Sequence, residues 1–194
     1  MKNSNKRQKF FEESLILIHQ KGFGATSMRD LAQHMGFKVA NVYNYIDSKQ
    51  ALLETYLFGI SNEFHQGIDD ILASTYSPTE KLKALISLNV RLTAQKPYEV
   101  ALLTNEWRNL ENKEGRLDDF LKEREAYEGK VKQLIQEGMA RGEFRPLDLE
   151  LATSLLLSSV RWLYDKYTQN GQKMNPIELE KQISDFVLLG LGNS

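Results

Sequence analysis

The chain has 194 residues, 41% hydrophobic and 26% charged, which is enough for one large domain or two small ones around a buried core. It has no cysteine, which excludes disulfide and thiolate chemistry and suits the cytoplasm. No apolar run approaches the roughly 20 residues that span a bilayer. The net charge of −1 hides an asymmetry, because residues 1–50 hold eight Lys/Arg against four Asp/Glu.

The elements read as helices throughout. Phe10, Phe11, Ser14, Leu15, Leu17 and Ile18 mark the inner face of a first helix that stops at Gly22. The opening "MKNSNKRQKFFEES" lacks the apolar core of a secretory signal, and none is expected. Ser27, with Asp30 three residues on, has the pattern of a capping box and starts a short second helix striped by Met28, Leu31, Ala32 and Met35. Gly36 supplies a turn, and Val39, Val42 and Ile46 continue an inner face on a third helix.

Asp47 or Ser48 caps a fourth helix, "SKQALLETYLFGISNEFHQGIDDILAS", which is long enough to act as a rigid lever into the rest of the chain. "SPTE" at 77–80 combines a cap, a Pro at the first helical position and a Glu at the third. Further helices are expected to about Gln95, from Pro97, through "EGRLDDFLKEREAYEGKVKQLIQEGMARG" to Gly142, from about Leu147 to Gln169, and from Pro176 to Leu191.

Two short helices joined at a tight glycine turn have helix-turn-helix geometry. Leu31, Ala32, Val39 and Val42 can lock the pair. Helix N-termini attract phosphates through free N–H groups and the helix dipole, and Thr26, Ser27 and Lys49 sit at such ends. An outward face must carry donors and acceptors for base edges; Lys38, Asn41, Asn44 and Tyr45 suit that task, with Tyr43 offering a phenol to the backbone. The candidate DNA-binding set is therefore Thr26, Ser27, Lys38, Val39, Asn41, Tyr43, Asn44, Tyr45 and Lys49. The plain alternatives are a solvated basic surface, exposed asparagines and a Tyr43 that packs on the first helix.

The run from Phe10 to Leu53, with "KGFGATSMRDLAQHMGF", "VYNYI" and "SKQALL", resembles the amino-terminal domain of the TetR (tetracycline-repressor-like) regulators. Lys38, Ala40 and Ile46 depart from the family's usual Ser, Gly and Phe. The resemblance implies an all-α fold of about nine helices. By the same resemblance, residues 1–50 are expected to form a three-helix DNA-binding domain, joined through the long fourth helix to a helical ligand-binding and dimerisation domain at 51–194. It also implies a homodimer that binds palindromic double-stranded operator DNA, most often as a repressor, and that releases it on meeting a small-molecule effector.

Leu151, Leu155, Ser158, Ser159 and Trp162 share one stripe near the end of the chain, and Ile183, Phe186, Val187 and Gly190 share another. Such stripes suit a four-helix interface between subunits, or packing within one. Aromatics beside arginines make Trp107, Arg108, Arg124, Tyr127, Arg161 and Trp162 the candidate effector residues. Pairs such as Arg161–Asp165 and Arg124–Glu128 at i,i+4 are the surface alternative. "NEWRNL" and the segments after it are similar to family members that sense acyl-CoA thioesters or lipid-derived acids.

His19, His34 and His65 lack metal-ligand spacing, and no phosphate loop, serine elbow or HExxH occurs. Neither an enzyme, a cofactor, a metal nor a membrane partner is expected. Two other readings remain at this stage: an effector-independent, architectural DNA-binding protein, and a helical protein-interaction module.

Overall fold

The computed structural model describes residues 2–169 and 175–192, with side chains from Lys6 onward. Every helix or strand among them is helical; the one extended pairing is an isolated bridge between Phe144 and Gly192. The chain divides into two compact units, and the division passes through the middle of one helix, between Ile60 and Ser61.

The first unit runs to Ile60 and takes in Tyr98–Asp118. It holds α1 (Lys2–Lys21), α2 (Met28–His34), α3 (Val39–Val42), the first half of α4 (Lys49–Ala73), nearly all of α6 (Pro97–Asn105) and two single 3₁₀ turns, Trp107–Asn109 and Lys113–Gly115. Phe10, Ser14, Leu15 and Ile18 point into its core from α1, and Leu52, Leu53, Tyr56, Leu57 and Ile60 do so from α4. The Tyr56 hydroxyl donates to the Phe11 carbonyl at 2.5 Å, and burial pushes this phenol well above its ordinary pKa.

The second unit comprises Ser61–Pro97 and the chain from Asp119 onward. It holds the rest of α4, then α5 (Pro78–Gln95), most of α7 (Arg116–Ala140), α8 (Leu149–Arg161), α9 (Leu163–Thr168) and α10 (Pro176–Leu191). Ser77 and Glu80 form the capping box that starts α5. Glu143 reinforces it by accepting the Thr79 amide at 2.9 Å; the Thr79 side chain, and then this amide, hold its carboxyl below the usual range. α10 packs chiefly on α5.

The single helix expected from about Leu147 to Gln169 is broken at Trp162 into α8 and α9. The Trp162 indole N–H takes the Ser159 carbonyl at 2.8 Å, which is the acceptor four residues behind Leu163 in a continuous helix. The hydrogen-bond ladder therefore loses a rung there.

α7 ends at Ala140, and the turn after it passes through Gly142, whose φ of 72° lies in the left-handed region. The Gly142 and Glu143 amides fold back onto the Met139 and Gly138 carbonyls. The chain then drops Phe144, 1% exposed, onto Gly138. A Cβ at Gly138 would lie 2.1 Å from Cδ2 of Phe144. Gly138→Ala should therefore cost about 1–3 kcal/mol through overpacking, read as a lowered thermal midpoint, whereas an unchanged midpoint would mean that Phe144 has room to move. Arg145 fastens the same turn to the end of α10, its amide donating to Leu191 O at 2.9 Å and its Nε to Gly190 O at 2.8 Å.

Candidate nucleic-acid interface and effector residues

The helix-turn-helix is built by local chemistry. Ser27 accepts the Asp30 amide, and Asp30 accepts the Ser27 amide at 2.7 Å, which closes the capping box of α2. Lys21 reaches the same carboxylate at 2.6 Å; Lys21 and then Ser27 hold it far below its ordinary pKa. At the far end, Gly36 has φ 68°, and the Gly36 and Phe37 amides bond back to Gln33 and Ala32 in a Schellman closure. Lys38 occupies the N-cap position of α3 without a side-chain capping bond. A Ser, Thr, Asp or Asn there stabilises a helix start by about 0.5–2 kcal/mol, so this helix stays at four residues without that help.

α3 turns Val42 fully inward and leaves Lys38, Val39, Asn41, Tyr43 and Asn44 exposed. These five side chains stand together on one short segment, with Tyr43 53% exposed.

Three other members of the candidate set serve the fold. Thr26 is 1% exposed, and its hydroxyl donates to the Gly22 carbonyl at 2.7 Å. Tyr45 lies between two rings, stacked on Phe10 with centroids 4.7 Å apart and on Phe37 at 5.8 Å. Lys49 donates to the Phe23 carbonyl at 2.8 Å and sits 4.3 Å above the Phe23 ring, bolting the start of α4 to the loop between α1 and α2. Ser27 is exposed, but its hydroxyl and its amide are both engaged with Asp30.

Sequence reasoning missed a clasp at Gln50. Its amide donates to Asn109 O at 2.9 Å and accepts from the Glu111 amide at 3.2 Å, pairing with the loop as a neighbouring strand would. Arg116 adds an ion pair to Glu54 at 3.2 Å and lies 4.5 Å above the Phe58 ring. Residues about 60 apart in sequence leave no local pattern to read.

The six candidate effector residues are divided between the two units. Trp107 and Arg108 belong to the first unit, with the guanidinium 4.5 Å above the indole. Arg124, Tyr127, Arg161 and Trp162 belong to the second. Arg124 lies over the Phe120 ring at 5.9 Å. Trp162 is 42% exposed, and Arg161 makes no ion pair among the described residues; Asp165 instead accepts Gln169 at 2.8 Å. Tyr127 is half-buried, and its hydroxyl, the shielded end of the side chain, has no hydrogen-bond partner. Leaving such a group unpaired costs on the order of 1–3 kcal/mol.

α8 exposes Leu151 and Leu155, and α10 exposes Ile177, Phe186 and Leu189. Ile183 and Val187, assigned from the sequence to the same outer stripe as Phe186, are each only 8% exposed. The α10 stripe is split because its other face packs on α5.

Residues 75–191 match the model of the tetracyclin repressor-like C-terminal domain, and residues 11–56 match that of the tetR family of bacterial regulatory proteins. This chain belongs to the TetR family. As a member it is a DNA-binding transcriptional regulator. It is 24% identical to the HTH-type transcriptional repressor KstR2 of Mycolicibacterium smegmatis, over 98% of this chain and 93% of that one. The TetR fold is shared with the ketosteroid transcriptional regulator KstR2 of Mycobacterium tuberculosis, with a TM-score of 0.89, 21% identity and coverage of 97% and 96%. It is shared also with AibR, solved with isovaleryl coenzyme A and operator DNA, with a TM-score of 0.77, 21% identity and coverage of 96% and 97%. No helix among the described residues of this TetR-family chain is long and apolar enough to cross a membrane.

Proposed function

We propose that this regulator is a homodimeric repressor, located in the cytoplasm, that grips a palindromic operator and lets go when a small apolar acid or its coenzyme A thioester binds in residues 51–194. The observation that carries the reading is the exposed set Lys38, Val39, Asn41, Tyr43 and Asn44 on a segment whose inner side is locked by Val42. A cation, two amides and a phenol suit phosphates and base edges. The apolar α8/α10 face supports pairing through a twofold axis, which would present two recognition segments to a two-part site. The AibR complex supports the effector class.

α4 follows α3 in the chain and continues into the second unit. An effector that favours one setting of α4 and a DNA that favours another must weaken each other by linkage. The operator-bound dimer should then bind effector more weakly than the free dimer.

Selection from random DNA tests the reading. It should return a palindrome, with binding that weakens steeply as salt rises. Asn41→Ala should change which bases are selected, whereas Tyr43→Phe should weaken all sequences alike. Binding that ignores salt and sequence would overturn the proposal.

A further inference from the structure

We infer that the Tyr127 hydroxyl is the recognition point for a ligand oxygen, the carboxylate or carbonyl of an otherwise apolar small molecule, in the interior of the second unit. The inference rests on the effector reading above and names the group by which that effector is recognised.

Tyr127 projects from α7, and its ring is set by two neighbours on α4, Phe64 and His65, with centroids at 6.1 and 5.5 Å and the rings near perpendicular. A ring so held aims its hydroxyl in one direction. The hydroxyl is buried without a partner. Asn89 of α5 lies near enough to act on the phenol, yet its Nδ2 donates to Leu85 O at 2.8 Å and it makes no well-formed bond to Tyr127. Burial pushes the phenol's pKa up to about 12, against the opposing influence of Asn89 and of the Arg161 charge. The group therefore keeps its proton at neutral pH and presents a donor.

Packing alone does not account for this side chain, since phenylalanine would fill the same space without burying an unmet polar group. A fixed donor within the influence of the Arg161 cation and beside the apolar ring of Phe64 suits an electron-rich oxygen on an apolar body. Free acids and thioesters share that oxygen, and only the acid brings a full charge to it.

The test compares full-length wild type with Tyr127→Phe, using decanoate and decanoyl coenzyme A as probes in thermal melts and titrations. Without probe, the variant should melt higher, by about 2–4 °C, because the unmet hydroxyl is gone. With probe, the wild type should be stabilised and the variant should bind about tenfold more weakly. Decanoate alone stabilising the wild type identifies a carboxylate, and decanoyl coenzyme A alone identifies a thioester carbonyl. A lower midpoint for the ligand-free variant would show that the hydroxyl is already satisfied within the protein, and would overturn the inference. So would equal probe affinity in the two proteins, or no response of the wild type to either probe. Wild-type binding to DNA is read in parallel; its absence would sink the regulator reading and leave the Tyr127 result standing.

Discussion

Leu155→Glu combined with Phe186→Glu should turn the proposed dimer into a monomer and lower operator affinity by a factor of about 10²–10⁴. Leu155 is 62% exposed and Phe186 75% exposed in the single chain, so neither change opens a hole in the core. Both lie on the α8/α10 face where subunit pairing is proposed. Four carboxylates forced together in a twofold interface would be desolvated and mutually repelling. Centrally placed aromatic and aliphatic anchors commonly carry 2 kcal/mol or more each. The loss of DNA affinity follows indirectly, because each half-site is then gripped alone and the second contact is no longer intramolecular. Sedimentation and fluorescence anisotropy on one operator check both halves of the statement. A double variant that stays dimeric would move the interface elsewhere on the surface.

Tyr45→Ala should destabilise the helix-turn-helix by about 3 kcal/mol, within the range for removing a packed aromatic ring. The ring stacks on Phe10 and Phe37 at interplanar angles of 12° and 14°, so its loss frees α1 and the α2–α3 turn from one another. DNA binding should fall for every sequence alike, alongside the thermal midpoint. Tyr45→Phe keeps the ring and should preserve both properties. A Tyr45→Phe variant that folds normally but selects different bases would return Tyr45 to the base-reading set.

The fold was legible wherever a local rule decides it. Ser27–Asp30, Ser77–Glu80, Gly36 and Gly142 each carry their instruction within four residues, and each acts where the sequence places it. The site was legible only in part. A polar residue beside a helix start looks the same in sequence whether it faces outward, as Asn41 does, or bonds inward, as Thr26 and Lys49 do. Tyr45 read as a base-contacting residue because its stacking partners come from two separate segments. On α10 the apolar residues are frequent enough to fill both faces, so periodicity could not separate Ile183 and Val187 from Phe186 and Leu189. The α8–α9 break was hidden because it depends on an indole N–H claiming one carbonyl, an event with no compositional mark.

That indole has a practical use as well. The chain contains two tryptophans, and Trp107 belongs to the first unit, beneath the Arg108 guanidinium of that same unit. With Trp107 changed to phenylalanine, Trp162 would be the lone emitter, half in water on the α8 side of the apolar face. Its emission colour and quenching by iodide would then report, with no dye attached, whether the proposed pairing covers that face and how fast it uncovers on dilution.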